Sequence, residues 1–354
     1  MKCLFCFTSV FLSLTSASVA GVLQPAISPD GSQLAFCYQG DIWSVSSKGG
    51  RPYRLTVHEG YDSNPRWSAD GNRLAFQSDR YGNNDIYSIP SNGGKPIRHT
   101  FHSASDLLSS YSPDGSILFV TRRVYAQVER EYEIYQASSQ GGTPTRYMDA
   151  LGSDPIVSPD GSKIAFVRGS CRVEREAYRG PANRDIWIFD VESEIYTQLT
   201  DFEGNDFSPK WLNPSTLLFL SSREGKYNVF QSSLSGSPKQ VTFEKDFGVN
   251  SFDLSVAKKR IVYQHGADIS IQQMGKKSSE CLNIELSADF RFDPVVSKTI
   301  KDNIEEYAVS PDGKLSVFGV RGDLFVTRND KDDDRSVRLT NRSSRERSPV
   351  WLND

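Results

Sequence analysis

Arginine is concentrated in two stretches of this chain: Arg122, Arg123 and Arg130 in "RRVYAQVEREYE", and Arg168, Arg172, Arg175, Arg179 and Arg184 in "RGSCRVEREAYRGPANR". A guanidinium fork matches a carboxylate with two parallel hydrogen bonds, so the chemistry on offer is recognition of acidic groups or chain ends. Arg172, Arg175 and Arg179 are the candidates for binding the carboxylates of a peptide. Glu129, Glu131, Glu174 and Glu176 are interleaved with them. A solvated, self-paired rim is therefore the competing reading. Other chemistry finds less support. No Gly-x-Ser-x-Gly elbow occurs, and the serines fall in turns and at strand ends, where they serve local hydrogen bonding. Of the four histidines, His99 and His102 could form a metal pair. However, His58 and His102 stand at the same place after consecutive Leu-Thr or His-Thr phrases, which marks a connection between repeats. "NDKDDDRS" (329–336) lacks the glycine and distal glutamate of a calcium loop and reads as a hairpin tip. Neither a metal nor any other cofactor is expected. Asp41, Asp85 and Asp185 recur unit after unit, and recurrence argues for a structural role, because a catalytic acid need appear only once.

The elements that must carry these residues are set by repetition. "SPDG" begins at Ser28, Ser112, Ser158 and Ser310, with "SADG" at Ser68, and Asp30, Asp70, Asp114 and Asp160 are 40, 44 and 46 residues apart. Pro presets φ, Asp bonds its own backbone and Gly accepts positive φ, so each phrase reverses the chain tightly. An apolar run such as "QLAFCY", "RLAFQS" or "KIAFVR" follows, then "DIW", "DIY" or "EIY", a Gly-Gly turn and a phrase such as "RLT". These segments are strand-like, and each unit gives four short antiparallel strands, one blade of a β-propeller. The expected fold is all-β: a six-bladed propeller at 23–288, a linker at 289–302, and at 303–354 one blade and the start of the next, beginning a second propeller. Closure should rest on packing of the first blade against the last, with no strand exchanged. From the turn aspartate to the next acidic strand start, the interval grows from 11 residues (Asp30 to Asp41) to 15, 19 and 25 (Asp160 to Asp185). The arginine-rich stretches are thus insertions in neighbouring blades, and they should lie side by side at one mouth of the ring.

Composition agrees with a globular protein. The 354 residues are 37% hydrophobic and 24% charged with a formal charge of −3, which gives no electrostatic footprint for nucleic acid or an anionic membrane. Residues 1–20 read as a secretory signal: Lys2, the apolar "CLFCFTSVFLSL", then Ser18-Val19-Ala20 as a small-x-small cleavage site, with cleavage after Ala20. No membrane span is expected after cleavage, and the location is periplasmic or exported. Cys37, Cys171 and Cys281 remain, an odd and scattered set that indicates neither a disulfide framework nor a zinc site.

Blades of the form S-P-D-G…A-F…D-I-[YW]…G-G…R-L-T, placed after a signal and followed by a linker and further blades, resemble the N-terminal part of secreted tricorn-type serine peptidases. The resemblance implies a six-bladed propeller followed by a seven-bladed one and then by catalytic domains, with possible homo-oligomers formed through those later domains. It also implies an oligopeptide or protein partner and a propeller that admits or docks peptides for a downstream catalytic unit. The family's nucleophile and histidine would fall beyond this sequence, so no catalytic residue is assigned. The blade pattern is shared with TolB. A stand-alone TolB-like protein-binding propeller with no enzymatic role is therefore the alternative.

Overall fold

A computed structural model describes residues 21–124, 131–286, 306–320, 323–329, 336–340 and 346–352. The expected signal and linker lie outside them, as do Glu129, Arg130 and nearly all of the aspartate-rich tip. The described residues contain strands and no helix. Seven four-stranded antiparallel sheets, each built from consecutive strands, span 23–54, 62–98, 106–151, 153–198, 206–240, 249–281 and 306–338. They fall into two compact units, six sheets up to Leu286 and the seventh beyond it.

The turn phrase explains the first hairpin of the first, second, fourth and seventh sheets. The Ser28 hydroxyl donates to Asp30 Oδ1 (2.6 Å), and Ser28 Oγ accepts from the Gln33 amide (3.0 Å). Ser68–Asp70, Ser158–Asp160 and Ser310–Asp312 repeat the serine–aspartate bond at 2.6 Å. Gly31, Gly71, Gly161 and Gly313 take φ of 71–77° there. Hydrogen bonds from Ser28 and Ser32 hold the Asp30 carboxyl down at about 2. In the fifth sheet "NPS" substitutes for the phrase, with Asn213 Oδ1 accepting from the Ser215 amide (2.9 Å).

The Leu-Thr phrase closes the outer edge. The Thr56, Thr100, Thr200 and Thr242 hydroxyls accept from the amides of Ile42, Ile86, Ile186 and Val229 at 2.8–2.9 Å. In the first two sheets the aspartate opening the third strand is bound by the arginine that precedes the closing phrase: Arg54–Asp41 at 2.5 Å and Arg98–Asp85 at 2.7 Å. Those aspartates are therefore edge fasteners. His58 and His102 do equivalent work, their Nδ1 atoms accepting from the amides two residues on, Gly60 and Ala104. His99 is buried with Nε2 2.7 Å from Ser88 Oγ.

Sheet packs on sheet through the second strands. Phe36, Phe76, Phe119, Phe166 and Phe219 are 0% exposed and Tyr263 1%. Tryptophans of first strands staple neighbouring sheets: Trp67 Nε1 donates to Ala26 O (3.0 Å) and Trp211 Nε1 to Ile156 O (3.1 Å). The sixth sheet lies against the first. The Ile27 amide donates to Asp253 Oδ2 (3.1 Å), the Gln24 amide to Gln264 Oε1 (3.1 Å), and Ser255 Oγ to Pro29 O (2.8 Å).

The segment "ECLNIEL" divides between two sheets. Only Ser279–Cys281 completes the sixth sheet, and Ile284 forms a parallel bridge with Gly50 of the first. Gly50 N donates to Asn283 O (2.8 Å) and Glu285 N to Gly50 O (2.9 Å). Gly49, at φ 81°, permits this, because a Cβ there would stand 2.4 Å from Asn283 O.

In the second unit, the seventh sheet repeats the turn and the edge pair, with Arg338–Asp323 at 2.7 Å. Trp351 Nε1 donates to Ala308 O (3.2 Å), the relation that Trp67 has to Ala26.

Candidate functional site

First strands share a distortion that builds a channel. Gln24, Asn64, Asp154 and Ser208 each precede a proline and adopt φ of 52–56°. Pairing with the second strand shifts register at each of these places. Such a bulge re-aims side chains. These four line a cavity of about 380 Å³ together with Gln77 and Ser251. The polar groups bond from sheet to sheet: Gln24 Oε1 accepts from Asn64 N (2.8 Å), Asn64 Nδ2 donates to Leu108 O (2.7 Å), and Asp154 Oδ2 accepts from Ser208 N (3.3 Å).

Two residues further on, one repeat position recurs around the six sheets as Ala26, Arg66, Ser110, Ile156, Lys210 and Asp253. Each pairs with the equivalent second-strand residue, from Ala35 to Val262. Lys210 Nζ lies 3.5 Å from Asp253 Oδ1. Arg66 donates Nε to Ser109 O (3.1 Å) and Nη1 to Pro65 O (2.9 Å). Burial pulls both cations below their ordinary pKa, and Asp253 opposes the shift for each. Arg66, Ser110, Ile156 and Lys210 also belong to a second cavity, of about 730 Å³. That one is bounded by the turn residues Pro29, Ala69, Pro159 and Pro214 and by Trp67 and Trp211. Arg66, Ser110, Ile156 and Lys210, which line both, with Asp253 beside Lys210, thus form a waist between a polar chamber and an apolar one.

The two insertions stand at the polar chamber, where Tyr132, Val173 and Arg184 join its lining. They meet through Glu131, whose Oε1 accepts from Gly169 N (3.1 Å) and whose Oε2 is 3.7 Å from Arg168 Nε. The three expected site residues divide. Arg172 is exposed. Arg175 is exposed with its guanidinium 4.6 Å from the Tyr178 ring centre. Arg179 is engaged, donating Nη1 to Tyr178 O (2.8 Å) and Nη2 to Ser222 O (3.2 Å) while stacking over Phe202 at 5.0 Å. Glu176 joins it in tying the insertion to the fifth sheet, 3.0 Å from Lys226 Nζ. Arg184 reaches Cys171 O (2.6 Å) and Ser153 Oγ (3.2 Å).

Arg66, Lys210 and Asp253 were not among the expected site residues. Their signal is positional: charge where the other repeats carry Ala, Ser or Ile.

Four-stranded antiparallel sheets stacked face to face with their first strands at such a lining define a β-propeller of the TolB and tricorn kind. Residues 19–278, well over half of the chain, match the family of the tricorn protease N-terminal β-propeller domain, and the chain belongs to that family. It is similar to the tricorn protease homolog of Saccharolobus solfataricus, 23% identical over 303 residues, covering 84% of this chain and 28% of that protein. Among solved structures, the tricorn protease superposes with a TM-score of 0.68 at 20% identity, over 91% of this chain and 31% of that one. A putative TolB from Agrobacterium tumefaciens gives 0.50 at 24% identity, over 62% of this chain and 80% of that one. The chain spans under a third of the tricorn relatives it resembles.

Proposed function

We propose that the six sheets up to Leu286 are the blades of one propeller that docks oligopeptides for a peptidase's catalytic unit, itself contributing no nucleophile. On this reading the seventh sheet opens a second propeller, and the chain is exported to the periplasm or beyond after cleavage at Ala20. The observation that carries it is the continuity between the insertions and the polar chamber. Exposed Arg172 and Arg175 stand on the same insertion as Val173 and Arg184, which line the space into which Asn64 and Asp154 point. A peptide meeting the insertion by its carboxylates would have the channel's amide and hydroxyl groups beside it. Arg179 belongs to the scaffold of that rim, because its donors already serve carbonyls.

Calorimetry with acidic oligopeptides tests the docking role. The double variant Arg172→Ala/Arg175→Ala should weaken binding by about tenfold, in line with the loss of a charge-assisted hydrogen bond. Unchanged affinity sinks the assignment of the rim, and no binding by the parent protein sinks the docking role altogether. N-terminal sequencing of the exported protein tests the cleavage site. The likeness to TolB supports a second reading, a propeller whose partner is a folded protein. That reading predicts capture of a large partner with no affinity for short peptides.

A further inference from the structure

The waist contains a half-buried cation without a direct counterion. Lys210 has Asp253, and Asp253 has in addition the Ile27 amide. Arg66 spends Nε and Nη1 on two backbone carbonyls, which accept hydrogen bonds without cancelling charge, and it forms no ion pair among the described residues. Of the waist's three ionised groups two are cations and one is an anion. Asp154, the other carboxylate whose field supports Arg66, already accepts from the Ser208 amide. A guanidinium that no carboxylate pairs with, standing at the wall of an apolar chamber, is stabilised when an anion reaches it. The space beside it is apolar. Trp67, Trp211, Leu254 and Val256 line the 730 Å³ chamber, and the repeated turns edge it with Pro29, Pro159 and Pro214.

We infer that this chamber is a second binding site, taking the C-terminal end of a peptide whose last side chains are apolar, with its carboxylate on Arg66 at the waist. The site rests on the reading of the propeller as a peptide-docking module, and it lies on the turn side, across the waist from the arginine-rich insertions. Apolar side chains would leave water against the tryptophans while the carboxylate gained the bidentate partner that the protein does not supply. An internal segment of a peptide, or an amidated end, would bring apolar contact and no charge, so the site discriminates chain ends from chain interiors.

Trp67 and Trp211 provide the readout. Tryptophan emission is titrated with Ala-Ala-Leu-Phe as the free acid and as the C-terminal amide, in the parent protein, in Arg66→Gln, in Arg66→Lys and in Arg172→Ala/Arg175→Ala, with circular dichroism confirming each fold. The expected result is a preference for the acid of about 10- to 100-fold, the range of a hydrogen bond to a charged group. That preference should vanish in Arg66→Gln, persist in weakened form in Arg66→Lys, and be untouched by the rim variant. Equal affinity for acid and amide, or a preference unchanged in Arg66→Gln, overturns the site. Loss of the preference in the rim variant alone overturns it too, placing the carboxylate at the insertions. Failure of the rim assignment shows up separately, in binding of acidic peptides to the rim variant.

Discussion

Phe76 and Phe318 occupy the same place in the same hairpin, yet they live in different surroundings. Each sits on a second strand, opposite an aromatic residue of the third, Tyr87 or Phe325. Their turns carry the same serine–aspartate bond, and their edges the same arginine–aspartate pair. Phe76, with a neighbouring sheet on either side, is 0% exposed, while Phe318 is only half-buried. Local chemistry makes the sheet in both cases, but burial requires neighbours.

The comparison breaks most visibly if these phenylalanines are removed. Phe76→Ala should destabilise the first unit by about 3–5 kcal/mol, as for other buried aromatics. Phe318→Ala should cost the second roughly 1 kcal/mol, because less apolar surface returns to water. Hydrogen exchange resolved by peptide reads the two units separately in the full chain, and equal losses would show that neighbours do not matter.

Ion pairs sharpen the same contrast. Arg80–Asp62 is nearly closed to water, with side chains 10% and 0% exposed, whereas Arg338–Asp323 is at 45% and 24%. Arg80→Ala leaves a buried carboxylate behind and should cost about 3–5 kcal/mol. Arg338→Ala should cost under about 1 kcal/mol. Urea denaturation followed by exchange in each unit distinguishes them, and comparable effects would contradict the burial argument.

A third test compares sheets within the first unit. In the fourth sheet Gln198 stands where the first two have Arg54 and Arg98. It still donates to the carbonyl of its Leu-Thr phrase, Thr200 O at 2.8 Å, as Arg54 does to Thr56 O at 3.0 Å. What is lost is the cation on the third-strand aspartate. Burial, with Asp206 adding repulsion, raises the Asp185 carboxyl from 3.8 to about 6. A carboxyl raised in the folded state favours folding in acid, and this contribution is lost as pH rises from about 4 to about 6. Gln198→Arg should flatten the decline in stability over that window and raise stability at pH 7 by about 1 kcal/mol. Asp206, also raised to about 6, keeps part of the slope. An unaltered pH profile would mean that the arginine is not what distinguishes the sheets.

A last test concerns the tryptophan staples. Trp67→Phe keeps the ring and loses the bond to Ala26 O, a cost of about 1 kcal/mol. The same change at Trp351 should register only in the second unit.

Much of this was legible in the sequence because the informative groups act within a hairpin. Ser-Pro-Asp-Gly fixes its own turn through bonds spanning a few residues, and the strands on either side follow. The recurrence of Asp41 and Asp85 marked them as structural, and their pairing with Arg54 and Arg98 accounts for it. The insertions could be located from spacing alone. What each arginine does could not, because Arg179 is spoken for by Ser222 of another sheet, 43 residues away. The waist was hidden for a related reason. Arg66, Lys210 and Asp253 are far apart in the chain and stand in otherwise ordinary repeats, so their convergence appears only when the first strands are gathered around one axis.

The contact between Gly50 and Ile284 gives this circle of sheets the character of a buckled strap. Among the described residues the last sheet shares no ladder with the first beyond this bridge, and the ends meet through side-chain bonds such as Ile27 to Asp253 and a short backbone clasp. Every other pair of neighbouring sheets in this unit is also joined by the chain itself, and this one only by non-covalent contacts. Radial strain from a bulky guest in the channel would therefore be relieved there first, widening the bore at one defined place while every sheet stays whole.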